Sequence, residues 1–250
     1  MKRLGGLFLL AVQFLTRVPV MRTCAAPPDA LAQATIFFPV VGLLIGLGAA
    51  GLNLMLSPHA NRSVVVVLIL IYLVVVTGGL HEDALADAVD GFGGGWNKDQ
   101  ILNIMRDSRI GSFGAVAVTL SLLVRFVFLT GLPRETFNGF LVAGQVISRW
   151  TALPLGFFLP SARGLEGQGA RVAGEIRFVS LAVGTAVTWG IVWAALGPVR
   201  CLWTILASII VTGATAAYYG GRIGGLTGDC LGATSQITEA AVYLTGVILR

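Results

Sequence analysis

At 250 residues, 56% hydrophobic and 12% charged, the chain is too apolar for a soluble domain, in which about 25% of residues carry charge. With 33 glycines and a mean hydropathy of +0.85 it reads as an all-α, polytopic membrane bundle. The net charge of +5 is spread over loops, not gathered on one face, which excludes a nucleic-acid binder, and no Pro/Ser-rich linker divides residues 1–250, which are expected to form a single integral-membrane domain.

In chain order, Met1–Val20 sets Lys2 and Arg3 before an apolar run, as a signal peptide does. Arg17 and Pro19 interrupt the run and no small-residue cleavage site follows, so a retained interfacial or re-entrant segment is expected. Six stretches approach the roughly 20 apolar residues that cross a bilayer: Ala34–Leu56, Ser63–Leu80, Ser112–Leu132, Phe137–Leu159, Val179–Gly197 and Cys201–Gly220. A seventh, Ile237–Leu249, is short enough to be tilted, re-entrant or interfacial, so six to seven spans are expected. Cys24, Cys201 and Cys230 have no pairing or metal-ligand spacing and read as reduced structural thiols.

The loops give orientation. Lys2, Arg3, Arg17, Arg22, Lys98, Arg106, Arg109, Arg163, Arg171, Arg177 and Arg222 fall on one side, against Arg62, Arg134 and Arg200 on the other. The positive-inside rule puts the N terminus and the long loops in the cytoplasm, as for a multi-pass protein of the cell inner membrane. In the loop after the second span, Gly91–Gly95 is expected to end a helix. Asn97 then caps a short helix, with Gln100 three residues on and Ile101, Ile104 and Met105 forming its apolar stripe.

Chemistry-bearing residues gather around that loop. Asp83, Asp87 and Asp90 are spaced i, i+4, i+7 and share one helical face. Neighbouring like charges there repel by about 0.2–0.5 kcal/mol per pair, and no Lys or Arg lies among them. A hard divalent cation held by carboxylate oxygens, Mg2+ in particular, would offset this; a solvated acidic helix end is the plainer alternative. His81 is expected to point away from Asp83 as an interfacial hydrogen-bonding group. The run Gly91–Gly95 is either an anion cradle or a plain helix terminator. Arg106 and Arg109, around Asp107, can hold phosphate oxygens or merely anchor the cytoplasmic side. In Gly224–Ala233, glycines surround Asp229, suggesting a backbone cradle that includes Gly228, with Asp229 as metal ligand or orienting base. Arg125 and Arg149 lie within expected spans, where charge costs about 2.5 kcal/mol or more, so they should face the bundle interior.

Five runs then carry a resemblance: Phe14–Pro19 (FLTRVP), Phe38–Gly46 (FPVVGLLIG), Thr77–Gly95 (TGGLHEDALADAVDGFGGG), Ile104–Gly114 (IMRDSRIGSFG) and Gly224–Ala233 (GGLTGDCLGA). Together, and in this order, they resemble the cobalamin synthase family, the adenosylcobinamide-GDP ribazoletransferases. One departure is Ala84, where the family often has Gly; it is expected on the side away from the acids. The resemblance implies a membrane enzyme that joins the cobinamide phosphate of adenosylcobinamide-GDP to alpha-ribazole or its 5'-phosphate. GMP leaves and magnesium is required. On this reading Asp83, Asp87 and Asp90 hold Mg2+, and one of them or Glu82 accepts the ribazole hydroxyl proton. Arg106, Arg109 and Arg149, with Asp107, Gly228 and Asp229, surround the diphosphate. The partners are these two substrates and the lipid bilayer; a homo-oligomer remains open. Two rivals stand behind it. A CDP-alcohol phosphotransferase of phospholipid synthesis needs Ala-Arg soon after Asp-Gly, and no Arg follows Asp90-Gly91 at that distance. A secondary transporter would place ionisable groups near the midplane, whereas here the acids collect at span ends.

Overall fold

The computed structural model describes residues 2–20, 29–164 and 172–249; Arg22, Cys24 and Arg171, used above, lie outside them. Among the described residues the regular elements are helices, with one isolated bridge between Ser161 and Leu226. They are α1 (Lys2–Leu15), α2 (Ala30–Ala34), a 3-10 turn (Thr35–Phe37), α3 (Phe38–Leu56), α4 (Arg62–Thr77), α5 (Leu80–Gly94), α6 (Lys98–Ile104), α7 (Ser112–Gly131), α8 (Phe137–Trp150), α9 (Ala152–Phe158), α10 (Phe178–Ile223) and α11 (Gly228–Ile248). The all-α class read from the sequence is what is found.

The polarity of the bundle is that of a membrane protein. Leu47, Ile71, Leu120, Leu123, Trp193 and Ile210 face outward, while Arg125, Gln145, Arg149, Thr188, Thr204 and Glu239 are buried. Three helical stretches, Ala30–Leu56, Ser112–Gly131 and Phe178–Ile223, are long and apolar enough to cross a bilayer. The pair α4 and α5, bent by 85°, gives a fourth if counted as one span. Length and composition thus support three to four spans where the sequence reading expects six to seven.

Two physical reasons account for the difference. First, α10 runs for 46 residues, but Gly197 (φ 72, ψ 174) is outside helical space and Pro198 follows it. Leu181, Thr185 and Trp189 before this break line the same cleft as Ile209, Gly213 and Ala216 after it, so the chain doubles back at Gly197. Second, α8 and α11 are the interior of the bundle and carry polar groups that lower their hydropathy. In α11 these are Thr234, Ser235, Gln236, Thr238 and Glu239, all buried. The short run Ile237–Leu249 is therefore the second half of a 21-residue helix, about 31 Å long at 1.5 Å per residue.

Glycine sets the closest approaches. A Cβ at Gly42 of α3 would lie 2.3 Å from the Gln145 carbonyl oxygen of α8, so no side chain fits there. At the N terminus, α1 is 14 residues long, too short to span. Its Ala11 and Leu15 are buried, and Phe14 stacks on Phe38 with ring centroids 5.6 Å apart. A retained segment lying against the bundle is consistent with this.

Candidate active site

The site is assembled by a sharp turn and a stitched loop. Gly78 and Gly79 both adopt left-handed conformations (φ 68 and 71), which let α4 end and α5 depart at 85°. The Arg17 side chain lies where a Cβ on Gly78 would stand. The departing helix opens with Glu82 and Asp83 in its first turn, where the helix dipole favours acids. Opposite it, α11 begins at Thr227, whose Oγ1 accepts from the Cys230 N–H at 3.2 Å, and Asp229 lies in its first turn.

The segment after α9 is tied to this start. The Ala162 N–H donates to the Leu226 oxygen at 3.0 Å and the Leu226 N–H to the Pro160 oxygen at 2.8 Å. Gly225 permits the pairing, since a Cβ there would sit 2.3 Å from the Pro160 oxygen. The stitch brings Arg163 to Asp229, Nη2 to Oδ2 at 3.3 Å, and Thr227 Oγ1 is also 3.3 Å from that oxygen.

A cavity of about 310 Å³ lies between these parts. Its outer end carries Asp83, Arg163, Thr227, Gly228 and Asp229. Further in, it is lined by His81, Ser148, Arg149 and Ser235. Ser235 is six residues beyond Asp229, about 9 Å deeper along α11. Asp87, one turn beyond Asp83 on α5, is half-buried and does not line this cavity. Burial and then the charges of Asp83, Asp229 and Asp90 push its carboxyl up to about 6, against a smaller opposing pull from Arg163.

The cobalamin-5-phosphate synthase family matches residues 7–247, nearly the whole chain. Proteins named adenosylcobinamide-GDP ribazoletransferase are similar over nearly their full length. That of Shewanella amazonensis is 37% identical over 99% of this chain and 97% of its own. That of Shewanella pealeana is 34% identical over 98% and 95%, and that of Vibrio vulnificus 34% over 95% and 94%. The chain belongs to the cobalamin-5-phosphate synthase family. No solved structure matches it. The match favours neither the phospholipid-synthase nor the transporter reading.

For this synthase family member, the structure distributes the sequence-expected residues unevenly. Asp83 and Asp229, from distant motifs, line one cavity with Gly228 and Arg149. Asp90 has other partners: its Oδ2 accepts from the Gly111 N–H at 2.7 Å and its Oδ1 from the Gly114 N–H at 2.8 Å, capping the start of α7. Glu82 turns toward the bundle interior, accepting from Arg125 Nη2 at 3.0 Å and Gln236 Nε2 at 3.2 Å. Arg109 is exposed and paired with Asp107 at 2.6 Å, holding that carboxyl well below the usual range. Neither residue lines the cavity with Asp83, nor does the exposed Arg106.

Several local expectations are corrected. The glycine run does end α5, but only at its last residue: the helix continues through Gly94 and Gly95 caps it. Its glycines are packing surfaces: a Cβ at Gly91 would meet Met105 at 2.6 Å and one at Gly93 would meet Phe113 at 3.0 Å. Their backbone is committed to the helix, which removes the anion-cradle reading. His81 lies about 200° round α5 from Asp83, on the opposite side as expected, yet it is buried and lines the same cavity, which wraps around the start of the helix. Ala84 lines it too and packs against Gly232, where an added Cβ would lie 2.3 Å from the Ala84 Cβ. The cap at Asn97 is as expected, with the Gln100 N–H donating to Asn97 Oδ1 at 3.0 Å.

Two charged residues of these contacts are not singled out by the sequence pattern. Arg163 reads there only as a cytoplasmic loop charge. Glu239 gives one signal that could find it: a lone acid in an apolar run is the partner that two buried arginines require. Arg125 contacts both Glu82 and Glu239, at 3.0 and 3.6 Å.

The residues present fit magnesium in one specific way. Among the described residues no three His, Cys, Asp or Glu side chains converge into a closed metal cage. Magnesium is usually held by one or two carboxylates together with substrate phosphate oxygens. Burial first, and then the charges of Asp83, Asp229 and Asp90, raise the Asp87 carboxyl, with Arg163 opposing. An oxygen-only donor set in which the acids outnumber the single Arg163 paired with Asp229 suits a hard cation completed by a diphosphate.

Proposed function

We propose that this protein is an adenosylcobinamide-GDP ribazoletransferase, working with magnesium at the cytoplasmic face of the inner membrane. A hydroxyl oxygen of alpha-ribazole, or of its 5'-phosphate, forms a new bond to the cobinamide-side phosphorus. The bond from that phosphorus to the bridging oxygen breaks, and GMP leaves. The observation that carries this reading is the meeting of Asp83, Arg163 and Asp229 in one cavity, built from parts of the chain that are distant in sequence.

Asp83 and Asp229, with Asp87 one turn along α5, would hold the cation. When bound, magnesium neutralises charge on the diphosphate oxygens. Arg163 supplies a fixed cation for the developing charge, and Thr227 orients Asp229. Asp83 is exposed in the cavity, and it is our candidate acceptor for the hydroxyl proton; Glu82 is engaged by Arg125. Asp90, which the sequence pattern groups with the ligands, acts on this reading by fixing α7 against α5.

The reading places seven traverses between the two ends of the bundle: α3, α4, α7, α8 with α9, the two halves of α10, and α11. Its support is the separation of charged residues. Arg62 and Arg134 line one cavity, and Arg200 another beside Gly197, at the end opposite Asp83. The excess of basic residues on the site's side supports the cytoplasmic orientation.

The test is direct. Protein purified in detergent should release GMP from adenosylcobinamide-GDP only when both the ribazole acceptor and Mg2+ are present, and EDTA should stop it. Folded protein that releases no GMP under these conditions would overturn the assignment.

A further inference from the structure

The inner end of the cavity holds polar groups that the outer site does not use. His81, Arg149 and Ser235 are 5%, 4% and 4% exposed, and all three line the cavity. Each keeps a buried polar atom with no hydrogen-bond partner among the described residues: His81 Nδ1, Arg149 Nε and Ser235 Oγ. Buried polar atoms are nearly always paired, and an orphan costs about 1–3 kcal/mol. Three in one cavity, brought by α5, α8 and α11, point to a ligand that satisfies them together.

The geometry of the charges names its sign. Glu82 and Glu239 match Arg125 and Arg149 in number but are placed unevenly. Arg125 takes Glu82 at 3.0 Å and Glu239 at 3.6 Å, whereas Arg149 reaches Glu239 only at 3.9 Å, beyond hydrogen-bond distance. The Arg149 guanidinium is thus a buried cation whose salt bridge, to Glu239, is long and shared with Arg125.

It is nevertheless held rigidly. Arg149 Nη1 donates to Gln145 Oε1 at 2.6 Å and to Ser148 Oγ at 2.8 Å. Gln145 Nε2 donates to the Tyr243 hydroxyl at 3.1 Å, and that hydroxyl donates to Glu239 Oε1 at 3.1 Å. This ring fixes one edge of the guanidinium and leaves the Nε edge unpartnered.

We propose that the inner end is a second phosphate subsite, distinct from the one at Arg163. Arg149 Nε–H, the Ser235 hydroxyl and an N–H of His81 donate to the oxygens of a phosphate ester, and Gln145, Tyr243 and Glu239 are positioning residues for Arg149. The identity of that ester rests on the transferase reading: it is either the donor's diphosphate or a 5'-phosphate on the acceptor. The subsite itself does not depend on which.

The experiment uses the full chain in detergent with Arg149→Lys, Ser235→Ala and Glu239→Gln. GMP release is measured while varying the donor, then the acceptor with and without its 5'-phosphate. Separately, inorganic phosphate is titrated against thermal unfolding. Arg149→Lys keeps the charge and loses the fork, and Ser235→Ala loses one donor, so each should raise one KM about tenfold. A rise in the donor KM identifies the diphosphate. A fall in the preference for phosphorylated over unphosphorylated acceptor identifies the 5'-phosphate. Glu239→Gln should raise the same KM as Arg149→Lys; a merely structural role would lower stability and leave KM in place. Phosphate should protect the wild type, with Ser235→Ala needing about tenfold more. If Ser235→Ala alters neither KM and phosphate protects both proteins equally, the subsite does not exist. If no GMP is released but phosphate protection still depends on Ser235, the transferase reading fails and the subsite stands.

Discussion

Replacing Asp90 by alanine separates two roles that the sequence cannot distinguish. Its carboxylate accepts two backbone N–H groups at the start of α7, at 2.7 and 2.8 Å. Hydrogen bonds to a charged group contribute about 1.5–3 kcal/mol each. In Asp90→Ala the Gly114 N–H is left buried, while the Gly111 N–H is half-buried and recovers water in part. Most of one bond and a fraction of the other are lost, or roughly 2–4 kcal/mol of stability. Asp90→Asn keeps one acceptor and should lose about half of that. Gly114 can make this contact because it lacks a side chain: a Cβ there would stand 2.3 Å from Asp90 Oδ2. The assay is denaturant unfolding of the purified protein in micelles, paired with Mg2+ titration of each variant. If Asp90→Ala left stability within about 0.5 kcal/mol of wild type while weakening Mg2+ binding more than about tenfold, Asp90 would be a ligand and the capping argument would be wrong.

Two further outcomes follow from the outer site. The Asp87 carboxyl, raised from 3.8 to about 6, must lose its proton to support a cation, so Mg2+ affinity should climb as pH rises through about 6 and level off above it. Without metal the sign reverses: the folded state retains the Asp87 proton that the unfolded chain releases, so this contribution to stability is full below pH 3.8 and disappears as pH rises through about 6. Asp87→Asn should flatten both profiles in calorimetric titrations, and an unchanged profile would remove Asp87 from the argument. Arg163→Ala should lower GMP release by about 100-fold, the scale for losing one fixed stabiliser of transition-state charge, whereas Arg109→Ala should change it by less than about threefold, because Arg109 is spent on Asp107. Equal losses in the two variants would mean that the cavity is not where the diphosphate lies.

What the sequence by itself determined was local in origin. The apolar runs, the Asn97 cap and the one-faced spacing of Asp83, Asp87 and Asp90 follow from composition and helical period, and these need no knowledge of what packs where. The family was also legible, because its motifs keep their order along the chain. Partnership was not. Arg163 meets Asp229 only because Gly225 lets the segment after α9 pair with Leu226. The polar residues of α11 depress its hydropathy although they are buried, so a central helix read as a short terminal run. Asp90 shares a helical face with Asp83, but seven residues on, about 10 Å along the axis, it meets α7 instead of the cavity. A helix's period fixes the direction in which a side chain points; only the crossing of helices decides what stands there to meet it.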